Sequence, residues 1–238
     1  MTRAIDRLAG MVAEAGDRDI PSSVLARAGD CVLDALSSAA AGLSAASTRA
    51  MRRAMPLCGG TAPVWFTDRT GDPITAATLN AMAATALDID DGHRQAAGHP
   101  GAAVVASALA GARPELSGRE LLAAVVLGYE VSVRVALARM PEHHKSTVSG
   151  RWSGTGAAAA MAKLQGLAPD VIARSILIAE QHAPRVGSAQ SHGFAGSDVK
   201  EGIAWSVLSG LQAVELAKAG FRGYPDSFDQ GVLYDPQV

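Results

Sequence analysis

Alanine recurs through this chain at helical rather than strand spacing, and that limits the fold more than any other feature. Over residues 24–42, Leu25, Ala28, Val32, Ala35, Leu36 and Ala39 share one stripe, the pattern of a helix with one buried face. Comparable small-residue segments cover residues 2–15, 48–55, 75–91, 100–112, 117–138, 157–166, 169–179 and 205–219. Ala loses no side-chain entropy in a helix, and its small side chain lets helices approach closely. Aromatic residues make up only 4% of the chain, and the β-branched runs of a sheet are scarce. An all-α fold follows. The one extended piece is Ala62–Phe66 before the turn-like Thr70-Gly71-Asp72-Pro73, so at most a small β-hairpin is expected near 62–75.

Local signals punctuate this pattern. Pro21-Ser22-Ser23 reads as a helix start with a serine cap, and Ser117 with Glu120 three residues on reads as a capping box. Gly16 and Gly220 read as stops. Residues 1–220 are expected to form one helical domain. Residues 221–238 hold Tyr224, Pro225, Phe228, Tyr234 and Pro236 and read as a connection leading onward.

Composition excludes several classes. The 238 residues are 48% hydrophobic, ample for a core. Basic and acidic residues number 21 and 23, with no Lys/Arg run, which argues against nucleic acid. Cys31 and Cys58 lie in separate segments and are expected as thiols of a cytoplasmic protein. The N-terminus lacks the apolar core of a signal peptide, and no uninterrupted apolar run reaches membrane-spanning length.

Polar chemistry concentrates in three loops, at residues 88–99, 143–152 and 182–200, which contain or adjoin all six histidines. In the first, Asp88, Asp90 and Asp91 precede His93 and His99. On a helix running to Asp91, Asp88 and Asp91 would share a face at the C-terminus, where the dipole disfavours acids. Asp90 reads as the solvated member of the trio. The middle loop supplies His143, His144, Lys145, Arg151 and Trp152; the last supplies His182, His192, Ser197 and Lys200. If the loops meet, one histidine would be a general acid or base and one aspartate its orienter or a base. Lys200, Lys145 and Arg151 would clamp a small molecule with several carboxylates. A bland reading stands beside each of these: a histidine in a small-residue loop is commonly a local hydrogen-bonder, Lys200 could be a surface lysine, and Arg151 could stack on Trp152. A metal site from His93, His99 and Asp91 lacks the helical histidine spacing of metalloproteases, and neither a phosphate-binding loop nor a nucleophile elbow is present. No metal and no cofactor are expected.

Ala-Leu-Asp-Ile-Asp-Asp-Gly-His at 86–93 and Gly-His-Pro-Gly-Ala-Ala-Val at 98–104 resemble the signature of the MmgE/PrpD family. Residues 20–42, 121–130, 159–167 and 217–223 are similar to it as well. The family includes 2-methylcitrate dehydratase, cis-aconitate decarboxylase and iminodisuccinate epimerase. The resemblance implies a large helical domain, usually in a homodimer, with a metal-free and cofactor-free site for small di- or tricarboxylates. It implies catalytic roles for Asp88, His99 and Lys200. Asp91 and His144 join these as further catalytic candidates, and His93, Lys145, Arg151, Trp152 and Ser197 as substrate-binding ones. A dehydratase-type lyase is the leading expectation. An epimerase, isomerase or decarboxylase on the same substrates is the alternative, and a non-catalytic or partner-dependent subunit is the rival from another class.

Three departures from the family pattern qualify this. Gly92 stands where many members have Thr. The middle loop reads Ser149-Gly150-Arg151-Trp152-Ser153-Gly154-Thr155 where many have a histidine, leaving His144 as the substitute. The members are longer, with a second α/β domain that closes over the site. That lid domain is expected to be absent here or supplied by a separately encoded chain, so a homodimer or heteromer is expected.

Overall fold

The computed structural model describes residues 2–143, 146, 148–186 and 197–235. Among these residues the architecture is all-α, with one two-residue hairpin. The helices are α1 (Ala4–Glu14), α2 (Ser22–Gly42), α3 (Ala46–Ala54), α4 (Pro73–Thr85), α5 (Gly101–Ala110), α6 (Gly118–Ala138), α7 (Ser153–Leu164), α8 (Pro169–Gln181) and α9 (Ile203–Lys218). Strands β1 (Ala62–Pro63) and β2 (Thr70–Gly71) pair antiparallel, Ala62 opposite Gly71 and Pro63 opposite Thr70. Single 3₁₀ turns form at Pro141–His143 and Ser149–Arg151.

Helix α7 is central and packs on α5, α6, α8 and α9. Nearly every residue of α5 and α7 is buried, which only side chains as small as Ala and Gly allow when neighbours surround a helix on all sides. A Cβ on Gly156 would strike the Ser132 hydroxyl and the Gly128 carbonyl of α6. A Cβ on Gly154 would strike the Ser206 carbonyl of α9. These glycines are therefore helix-crossing contacts. That is why α7 begins at Ser153, inside the stretch that reads as one long loop in the sequence. A second apolar cluster joins α1, α6 and α8 through Ile5, Val12, Val135, Ile172 and Ile176, and Phe228 and Tyr234 fold back into it.

Helix starts differ in their devices. Ser117 caps α6 with the full capping box. Asp72 caps α4 by accepting from Thr75 N–H at 2.9 Å, so Thr70-Gly71-Asp72-Pro73 is a strand followed by a cap rather than a turn. At α2 the serine cap does not form: Pro21 holds the N-cap position without a side-chain bond, and its carbonyl accepts from Val24 N–H. The buried Asn80 pins the hairpin to α4, accepting from Trp65 N–H and donating to the Pro63 carbonyl, each at 2.9 Å.

Among the described residues one helix, α6, is by length and composition apolar enough to cross a membrane, although Glu130 and Arg134 interrupt its apolar run. Of its most apolar window, 56% is buried inside the fold, and Arg134 pairs with Glu130 at 2.7 Å on its outer face.

Candidate active site

Helix α4 stops at Thr85, six residues before the point expected from the sequence. Asp88 then adopts a left-handed backbone, φ 60°, and its N–H donates to the Thr85 carbonyl, turning the chain out of the helix. The three acids are therefore loop residues that face three directions, and the argument from an unfavourable helix dipole lapses. Asp, whose short side chain bonds locally, tolerates this conformation better than most residues, at a cost of ~1–3 kcal/mol.

Asp88 carries the centre of the site. Its Oδ1 lies 2.7 Å from Lys200 Nζ and 3.2 Å from His99 Nε2. Lys200 is almost fully buried, while the Asp88 side chain remains 53% exposed, so the trio opens to solvent through the carboxylate. The other ring nitrogen, His99 Nδ1, lies 2.8 Å from the Asp91 carbonyl. A carbonyl can only accept, so Nδ1 carries a proton and donates; Nε2, facing Asp88, is the nitrogen that gains and loses one. The His99 main chain is held as well, its N–H donating to Ser149 Oγ at 2.9 Å.

Asp91 braces the ring from behind through its backbone. Its carboxylate accepts from Tyr129 OH and Gly101 N–H, each at 2.9 Å, and its N–H donates to Asp34 at 2.8 Å. Burial raises the Asp91 pKa against those donors. Burial and the adjacent Asp91 charge push the Tyr129 hydroxyl well above its ordinary range, so Tyr129 stays a donor. The Asp91 carboxylate is therefore fully engaged away from the reacting nitrogen.

Asp90, read from sequence as the solvated acid, is the buried one: its side chain has no exposure, and neither carboxylate oxygen meets a donor among the described residues. Burial raises its pKa to about 6, against the opposing pull of His99 and Lys200. Its Oδ1 lies 3.7 Å from His99 Nδ1.

On the far side, Glu201 and Gly202 both have positive φ, 49° and 73°, a tight bend that sets Lys200 just ahead of α9. Glu201 Oε1 lies 3.3 Å from Lys200 Nζ. Its other oxygen accepts from the Ser149 hydroxyl and, at 3.0 Å, from Ser149 N–H. Burial pushes the Glu201 pKa up, but the two Ser149 bonds, Lys200 and His99 outweigh it, and the net shift is downward. Ser149 thus joins the middle loop to both others.

The remaining residues singled out in the sequence lie elsewhere. His93 accepts from Ala96 N–H at 3.1 Å within its own loop. Ser197 accepts from Val199 N–H at 3.1 Å. Arg151 turns inward to a buried pair with Glu180 at 3.0 Å, so the structure does not bring it to the cluster as a carboxylate clamp. Trp152 is fully buried, and Arg139 rather than Arg151 stacks on it, 5.7 Å from the ring centroid. His143 is exposed beside Glu142. His182 caps α8 and lies 6.0 Å from the Phe221 ring. His144, Lys145 and His192 lie outside the described residues. Tyr129, Glu201, Ser149 and Asp34 escaped the sequence reading; the one signal was Tyr129, a polar tip in an apolar helix.

Ligand atoms of Asp88, Asp90 and His99 lie within 4.8 Å of one another, a spacing that suits a cation. The Lys200 ammonium, 2.7 Å from Asp88 Oδ1, fills that cationic position. Among the described residues the cluster counts Asp88, Asp90, Asp91 and Glu201 against Lys200 and His99. It can hold and move a proton at Nε2, and it offers one buried ammonium to an anion.

Residues 6–233 match the MmgE/PrpD N-terminal domain. The chain is 29% identical over 241 residues to the cis-aconitate decarboxylase-like protein oryM of Aspergillus oryzae, covering 94% of this chain and 48% of that one. It is 27% identical over 244 residues to a cis-aconitate decarboxylase of Aspergillus terreus, covering 92% and 48%. The chain spans about half the length of these curated relatives. With the match covering residues 6–233, from the first helix through α9 and most of the segment after it, the chain belongs to the MmgE/PrpD family.

Proposed function

We propose that this chain carries the proton-transfer half of a lyase site for a small di- or tricarboxylate, acting by dehydration or decarboxylation. The observation that carries the reading is the Asp88 oxygen shared by the Lys200 ammonium and His99 Nε2 at the mouth of the cluster. A substrate carboxylate entering there approaches the buried Lys200 ammonium from the Asp88 side. Nε2 is then placed to take a proton from the carbon beside that carboxylate, or to give one back, while Asp88 holds Lys200 and His99 in register. Enzymes of cis-aconitate among its relatives support the substrate class. Cys31 and Cys58, both free thiols, agree with a cytoplasmic setting.

The test is proton NMR in deuterated water with citrate, 2-methylcitrate, cis-aconitate and iminodisuccinate. Exchange of the proton beside a carboxylate, or a new alkene signal, is expected, and His99→Gln should lower the rate at least ~100-fold with the fold intact by circular dichroism. Full activity in that variant would remove His99 from the chemistry. Epimerisation would appear in the same spectra as exchange without an alkene.

A second reading draws on the charge count. Among the described residues four carboxylates surround one ammonium and one imidazole, and Arg151 faces away, so a substrate of several negative charges needs cations beyond these. In that reading a second copy or another chain completes the site. Absence of exchange with every acid, by the chain alone, would shift the weight to it.

A further inference from the structure

Proton transfer at Nε2 leaves Asp90 without a part. Its side chain is wholly excluded from solvent, and neither carboxylate oxygen meets a donor from another residue among those described. A buried carboxylate in that condition is costly, and folds commonly satisfy or remove one. The cation-forming group against it is His99, with Nδ1 3.7 Å from Asp90 Oδ1. The Nδ1 proton is already given to the Asp91 carbonyl at 2.8 Å, so Asp90 acts on the ring by charge and not by a hydrogen bond.

We propose that Asp90 is a positioning residue that sets the proton affinity of His99: its buried carboxylate is the counter-charge that favours the imidazolium formed when Nε2 takes a proton. The proposal rests on reading His99 as the acid/base. The other charges facing the pair are accounted for. Asp88 meets Nε2 from the exposed side and favours the imidazolium. Lys200, on the same Asp88 oxygen, opposes it. Glu201 neutralises Lys200, and the Asp91 carboxylate is turned to Tyr129 and Gly101. Asp90 is thus the charge that is close to the ring and, its own backbone aside, meets no donor among the described residues. Burial raises the Asp90 pKa to about 6, so the charge that bears on the ring is itself lost as pH falls.

The experiment is an NMR titration of His99 in the full chain, as wild type, Asp90→Asn and Asp90→Ser. Both variants remove the charge and should lower the His99 pKa by about one unit or more, a ~tenfold loss of proton affinity. The acidic limb of any pH–rate profile should move by the same amount, which a purely structural role would not cause. In wild type, the Asp90 carboxyl carbon should show an inflection shared with His99; this measurement decides the question if neither variant folds. An unmoved His99 in folded variants, or an Asp90 carboxyl titrating in one independent step at the ordinary carboxylate value, would overturn the proposal. If the His99 shift is present but His99→Gln keeps its turnover, the proton-transfer reading fails and the Asp90 role stands. If His99→Gln is inactive and the shift is missing, only the Asp90 role fails.

Discussion

Three acids within four positions occupy three environments. Asp88 is half in water and shared by Lys200 and His99, Asp90 is dry and meets no donor from another described residue, and Asp91 is part-buried and fully bonded. Asp90 bears on stability as well as chemistry. An unfolded Asp releases its proton near 3.8, and the folded residue near about 6, so folding takes up a proton between those values. Its contribution to stability is therefore greatest below the unfolded value, falls as pH rises through that window, and is level above it. Asp90→Asn should raise stability by up to ~3 kcal/mol at neutral pH and by almost nothing at about pH 3.5. Urea denaturation at the two pH values checks this, and an equal change at both would contradict it. A stabilising substitution at a site that loses function is the usual mark of a residue retained for activity. The sequence shows that acids cluster before His99. It cannot show which of them is buried, because a loop lacks the fixed periodicity that assigns faces in a helix.

At the scale of elements, helix propensity and packing make opposite demands on glycine. Gly10 lies inside α1 with open space where a Cβ would stand, and Gly156 lies inside α7 against Ser132 and Gly128. Gly10→Ala should stabilise the fold by roughly 0.5–1 kcal/mol through propensity. Gly156→Ala gains the same propensity but forces α6 and α7 apart, and should cost ~1–3 kcal/mol net. Thermal melts of the two variants separate the effects; a stabilised Gly156→Ala would show that the crossing yields. The sequence marks the helices well because their small-residue stripes and the Ser117 capping box are local signals. It misplaces the end of α4 and the start of α7, where a tertiary contact decides: the left-handed turn at Asp88, and glycines that serve a helix crossing but read as loop.

At the scale of the molecule, the segment after α9 returns to the body. Tyr234 OH donates to Glu180 at 2.8 Å, joining the buried pair with Arg151, and Asp229 accepts from Ala4 N–H at 2.9 Å. Around the site mouth, Leu87, Ile89 and Val199 are 41%, 55% and 46% exposed, flanking Asp88 and Lys200. Apolar side chains exposed around a charged site suit a covering surface, in line with the reading in which a second copy or another chain completes the cluster. Light scattering at micromolar concentration should then find a dimer or larger species, and a single monomeric species would count against that reading.

The sequence by itself determined the all-α class, the helical segments, and the family motif that contains Asp88 and His99, because helical periodicity and short motifs are encoded locally. Only the tertiary structure decided that Arg151 serves a buried ion pair, that Asp91 acts through its backbone, that Ser149 and Glu201 tie the three loops together, and that Asp90 lies dry against His99. Burial, and the choice of partner for a charged side chain, depend on residues distant in the chain, and no local pattern carries that information.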